Sequence, residues 1–137
     1  MKRLQPERAI EAKILCFLSE LGIWSWKNPS VGTYSPKQGV FLKSRNKFHK
    51  NGVSDIIAVH NGKCIFIEVK APKGRVSPEQ ALFIKQANER LALAFVARSV
   101  GEVWAEISHI FREAEYLTIM PIVRRWVQIE EFENSKE

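Results

Sequence analysis

The sequence predicts a mixed α/β domain in which helices cover a sheet. Three observations carry that expectation. Apolar residues recur at helical spacing in three separate stretches, short apolar runs rich in β-branched residues lie between them, and the order reads helix, strands, helix, strand, helix. The 137 residues fit a single domain, expected over 1–137 with a core of about 5–112 and an extension over 113–137.

The first helix starts near Pro6, a residue favoured in a first turn. Ile10, Ile14, Phe17, Leu18 and Leu21 form one stripe until Gly22 stops it, with Glu7 and Glu11 along one edge. "GIWSWKN" reads as a short strand. A long basic loop over 29–51 follows, with a brief strand at "GVFLK"; loops of this length are usually functional or disordered. Two strands, 53–60 and 63–70, flank Asn61-Gly62, a pair that accepts positive φ at both centres of a type I′ turn. A second helix opens at "SPEQ" and runs to about Leu91, "LALAFVARS" is a fourth strand, and "VGEVWAEISHIFREAEYL" a third helix with Trp104, Ile107, Ile110 and Phe111 facing the core. The tail "TIMPIVRRWVQIEEFENSKE" is read as a further strand or a partner contact.

Composition excludes several classes. With 45% hydrophobic and 26% charged residues the chain is ordinary for a globular domain, and no apolar run reaches the roughly 18 residues of a membrane span. Glu7, Glu11 and Lys13 interrupt the amino-terminal apolar residues, so a signal peptide is not expected and a cytoplasmic location is. Cys16 and Cys64 sit in apolar patterns, which suits reduced core thiols. The net charge is +6, and from Leu21 to Ser54 there is no acid while Lys27, Lys37, Lys43, Arg45, Lys47 and Lys50 supply six cations. Such a block beside aromatic residues suits a phosphate backbone, making Lys37, Lys43, Arg45, Lys47 and Lys50 candidate DNA contacts; a solvated loop is the bland alternative.

The stretch "GVSDIIAVHNGKCIFIEVK" carries Asp55, Glu68 and Lys70 where the chain should be driest. If His60 pairs with Lys63, counting back along both strands sets Ile57 opposite Phe66, Val59 opposite Cys64 and Asp55 opposite Glu68, the last as a non-hydrogen-bonded pair about 4.5 Å apart. Lys70 shares the face of Glu68. Two carboxylates this close on a buried hairpin repel unless a cation or proton compensates. A divalent ion, Mg²⁺ or Mn²⁺ given the hard oxygen ligands, explains the pair, and leaves Lys70 to orient or deprotonate a water. A solvated acid pair tied down by Lys70 is the alternative. Ser77, Pro78 and Gln80 form a capping box, which places a helix amino terminus towards the strand end that holds Lys70.

Asp55, "EVK" at 68–70 and "GRVSPEQ" together resemble the PD-(D/E)XK nuclease superfamily, and specifically its VRR-NUC branch, from the first helix to about "ARSVGEV". The resemblance implies a restriction-endonuclease-like core and a site in which Asp55, Glu68 and the Val69 carbonyl ligate metal, Lys70 positions the attacking water and Gln80 completes the arrangement. It also implies a glutamate from the first helix; Glu11 and Glu7 both fit, and spacing does not choose between them. Ser54 stands where the superfamily name has proline. Stand-alone members resemble structure-specific DNA endonucleases, often homodimeric four-way (Holliday) junction resolvases linked to DNA repair and commonly phage-encoded. The expected function is therefore metal-dependent hydrolysis of branched DNA. The competing readings are a non-catalytic nucleic-acid-binding module, and an end-trimming nuclease within a replication or packaging assembly. All three of Asp55, Glu68 and Lys70 are present, which disfavours the first of these.

Overall fold

The computed structural model describes residues 6–29, 33–35, 40–42 and 50–136. Four helices and six strands run in the order α1 (Pro6–Glu20), β1 (Trp24–Lys27), β2 (Thr33–Ser35), β3 (Val40–Leu42), β4 (Ile56–His60), β5 (Lys63–Val69), α2 (Pro78–Glu89), β6 (Leu93–Ala97), α3 (Val100–Ile107) and α4 (Glu113–Asn134). The main sheet has the order β1-β4-β5-β6. Its first three strands form an antiparallel meander and β6 lies parallel to β5. β2 and β3 pair separately. The expected mixed α/β architecture is present.

Local chemistry sets the boundaries. Gly22 ends α1 at φ +79°, where its N–H reaches the Ser19 carbonyl and the Ile23 N–H that of Leu18, the double hydrogen bond of a Schellman cap. Asn61 and Gly62 take φ of 48° and 78°, giving the tight turn that pairs His60 with Lys63. Ser77 caps α2: its hydroxyl accepts from the Gln80 N–H at 3.1 Å, and the Gln80 side chain accepts from the Ser77 N–H at 2.9 Å.

The core lies on one face of the sheet. Ile14, Phe17 and Leu18 of α1 and Val100, Val103 and Ile107 of α3 close over Ile56, Ala58, Ile65, Ile67 and Val69, all of them buried. Each such side chain contributes roughly 1.5–3 kcal/mol of apolar burial. α2 lies on the other face and buries no residue completely; Phe83 meets Phe66 edge-on at 5.1 Å. No described helix is long and apolar enough to cross a membrane.

Several elements differ from expectation. The third helix stops at Ile107, because the chain turns through 108–112 to bury Phe111 beside Trp104. Of the other residues assigned to its core face, Ile107 is buried while Trp104 and Ile110 are half-buried. The tail forms a 22-residue helix rather than a strand, and Ile119 and Val123 carry it into the same core. α2 ends at Glu89, where Leu91 adopts φ +68° in the position usually given to glycine. Cys16 is exposed on the outer side of α1 rather than in the core, and Cys64 is half-buried.

α4 is pinned at its start by Glu115. Its carboxylate accepts from the Arg112 N–H at 2.8 Å and the Asn61 amide at 2.6 Å, and meets His60 at 2.8 Å. Those partners, the Arg112 N–H foremost, hold the Glu115 carboxyl down to about 2. A folded value below the ordinary 4.5 means that this contribution is complete above that pH and is lost as pH falls towards 2. Wild type should therefore lose more thermal stability across that interval than Glu115→Gln. Acid titrations in which the melting temperatures of the two proteins fall equally would remove the assignment.

Candidate active site

Asp55, Glu68, Lys70 and Gln80 come together where β4 begins and β5 ends. The hairpin register is the expected one from His60–Lys63 to Ile56–Ile67, but it stops one residue short of the acids. Asp55 occupies a bend ahead of β4 and does not form the expected rung with Glu68. Its Oδ2 instead accepts the Val69 N–H at 2.8 Å, a donor that the next backbone rung would have given to Ser54. The Asp55 carbonyl accepts from the Asn28 N–H at 2.7 Å, so β1 is tied to the same point.

Glu68 is 1% exposed. Gln80 donates to its Oε1 at 2.6 Å, while the Lys70 ammonium stands 3.6 Å from the same oxygen. Gln80 is thus its tighter partner, and α2's capping residue reaches directly into the site. Oε2 of Glu68 is buried with no hydrogen-bond partner among the described residues. Burial first, then the neighbouring Asp55 carboxylate, pushes the Glu68 carboxyl up to about 8, with Lys70 acting against both and the Glu7 charge adding to the rise. Lys70 pairs only with Glu68 among the described residues, so it does not tie down both acids.

An open cleft of about 560 Å³ adjoins the acids, lined by Pro6, Glu7, Arg8, Glu11, Lys27, Asn28, Asp55 and Ala71. Both candidate helix acids therefore line the same cleft as Asp55. They differ in engagement: Glu11 holds Lys27 at 3.0 Å, whereas it is Glu7 whose charge acts on Glu68. Among the described residues no three His, Cys, Asp or Glu side chains group as a metal site. A hard divalent ion nevertheless suits the donors present: two carboxylates, one with a buried oxygen lacking a partner among the described residues, beside the main chain of Val69.

Lys50 is exposed at the end of the basic segment, and Lys37, Lys43, Arg45 and Lys47 lie outside the described residues. Lys27 was legible only as one cation among six, yet it enters the cleft beside Glu11. Arg8 and Asn28 carried no signal, because neither the packing of α1 beside Asp55 nor which strand borders β4 is written in local sequence. Ser54 is fully buried and its hydroxyl has no partner among the described residues.

A family model described as the VRR-NUC domain matches residues 30–101, just over half of the chain. The chain belongs to the VRR-NUC family. No curated protein matches it. The matched span of this VRR-NUC domain contains Asp55, Glu68, Lys70 and Gln80, together with the hairpin and α2 that position them. It is a nuclease-type domain, of a class that typically uses divalent metals and acts on DNA, and its four-stranded mixed sheet agrees with a restriction-endonuclease-like core.

Proposed function

We propose that this VRR-NUC domain is a Mg²⁺- or Mn²⁺-dependent endonuclease that hydrolyses phosphodiester bonds of branched DNA. The observation that carries the reading is Glu68: a fully buried carboxylate beside Asp55, one oxygen held by Gln80 and the other without a partner. A buried carboxyl in that setting is completed by a proton or a cation, and a second acid beside it favours a cation shared by both. Asp55, Glu68 and the Val69 carbonyl would hold the ion. When bound, it lowers the pKa of a water and polarises the phosphate.

The chain's own groups do the rest. Gln80 fixes Glu68, the Val69 N–H fixes Asp55, and the Lys70 ammonium orients the water, whose proton passes to solvent as solvent protonates the departing 3′-oxygen. Water attacks phosphorus in line, the bond to the 3′-oxygen breaks, and the products are a 5′-phosphate and a 3′-hydroxyl. Glu7 is the better placed of the two helix acids, since Glu11 is engaged by Lys27. The basic segment that ends at Lys50 would follow the backbone, a contact that positions DNA without reading sequence. Recognition by branch shape suits that chemistry, and two copies of the domain would cut both strands of a four-way junction.

The test is cleavage of labelled four-way-junction, flap and linear duplex DNA in either metal, with wild type beside Lys70→Ala and Asp55→Asn. Symmetric cutting of branched DNA by wild type alone, with binding kept in both variants, is the expected result. Binding without cutting by wild type in both metals would overturn the proposal in favour of a binding module.

A further inference from the structure

Two tryptophans stand on the outer strand of the sheet. Trp24 is 70% exposed and Trp26 40%, and their rings lie 5.0 Å apart at 56° to one another. A tilt of that size keeps the indoles from stacking on each other. Trp24 pairs with Val59 and Trp26 with Ile57, so both share the sheet face of those residues, opposite the buried face of Ile56 and Ala58. Glu68 continues the same face by alternation from Phe66, the partner of Ile57, and Asp55 stands just beyond the end of β4. Trp26 is set two residues, roughly 7 Å of strand, from Asp55. The Asn28 to Asp55 backbone hydrogen bond at 2.7 Å locks this strand to the acids.

Core packing does not account for rings so exposed, and an open apolar strand edge is a hazard that proteins usually suppress. The sequence neighbourhood of the pair points to its occupant. β1 lies in the stretch from residue 21 to 54, whose sequence carries six cations and no acid, four of those cations lying outside the described residues. Aromatic faces set in a cationic stretch match a ligand that is flat and apolar in its bases and anionic in its backbone.

We infer that Trp24 and Trp26 form a stacking platform for unpaired bases, so that the DNA engaged carries a single-stranded segment next to the bond presented to the acids. This inference rests on the reading of the cleft as a nuclease site, and it narrows that reading to branched DNA with unpaired bases at or near the branch. Fully paired duplex has no base to offer such rings.

The experiment measures binding without divalent metal, so that it does not depend on cleavage. Fluorescence anisotropy of a labelled 15-nucleotide oligo-dT and of a blunt duplex is compared for wild type, the Trp24→Ala/Trp26→Ala double variant and the Trp24→Phe/Trp26→Phe double variant, each checked for native circular dichroism. The alanine pair should weaken oligo-dT binding about tenfold or more and duplex binding less than about twofold, while the phenylalanine pair restores most of the loss. Equal weakening on both ligands, or none on either, overturns the platform. So does a change in sedimentation from dimer to monomer without selective loss of oligo-dT, which would assign the pair to a second copy of the chain. Selective oligo-dT binding by a protein that cuts nothing would uphold the platform and overturn the nuclease reading, and selective cutting of fully paired junctions would do the reverse.

Discussion

Glu68→Gln is expected to lower cleavage by about a thousandfold or more and to raise thermal stability in metal-free buffer. Both effects come from one buried charge. Glutamine keeps an oxygen for the Gln80 amide, now held at 2.6 Å, and removes the repulsion between Glu68 and Asp55. It also replaces one carboxylate oxygen, in a group that Asp55 already disfavours as an anion, with an uncharged amide. Relieving an uncompensated buried carboxylate should contribute on the order of 1 kcal/mol, a few degrees in a domain of this size. Added Mg²⁺ or Mn²⁺ should raise the melting temperature of wild type and leave that of the variant unmoved. A variant that melts lower than wild type without metal, or still cuts, would end the assignment of Glu68 as an unpaired ligand.

Gly52→Ala should be the most damaging single methyl in the described chain. Gly52 has φ +73°, and a Cβ there would sit 2.4 Å from the Glu79 carbonyl oxygen, 2.5 Å from its carbon and 2.8 Å from the Gln80 nitrogen. All three are main-chain atoms in the first turn of α2 and cannot swing aside. The helix start must move, and Gln80 moves with it, away from Glu68. Misplacement on the scale of 1 Å costs about a hundredfold in rate, and the strain costs roughly 2–4 kcal/mol of stability. Gly22→Ala provides the comparison, because Gly22 also has positive φ, +79°, with nothing within 4 Å of its added Cβ. It should lose about 1 kcal/mol and keep its turnover number. Equal turnover in the two variants would show that the approach of Gly52 to α2 does not position Gln80.

How much of this was legible depended on distance along the chain. The Asn61-Gly62 turn, the capping box at Ser77 and the pairing of β4 with β5 are written within a few residues, and they sufficed to bring Asp55, Glu68, Lys70 and Gln80 together. The exact partner of Asp55 was not legible, because a side chain competing with a backbone rung for the Val69 N–H leaves no pattern in the sequence. Nor was the border formed by β1, which pairs across a stretch of nearly thirty residues and brings Lys27 and Asn28 to the cleft. α4 was obscured by Pro121 within a β-branched run, a residue that interrupts the helical hydrogen bonding yet is tolerated on its exposed side.

α4 also separates two meanings of a unit. The family match ends at residue 101, but the core it encloses draws on Ile107, Phe111, Ile119 and Val123 beyond that limit. Glu130 accepts from the Val100 and Gly101 N–H groups at 2.6 and 2.9 Å, and Lys13 reaches Glu133 at 2.8 Å, so the same helix fastens both α3 and α1. The portion that the family model matches is therefore smaller than the portion that holds its shape. A gene rearrangement that moved only the matched segment into another protein would transfer the β4–β5 hairpin and α2 without the framework that keeps them in register, and the recipient would have to supply helices of its own over Ile56, Ile65 and Ile67 in place of α1, most of α3 and α4.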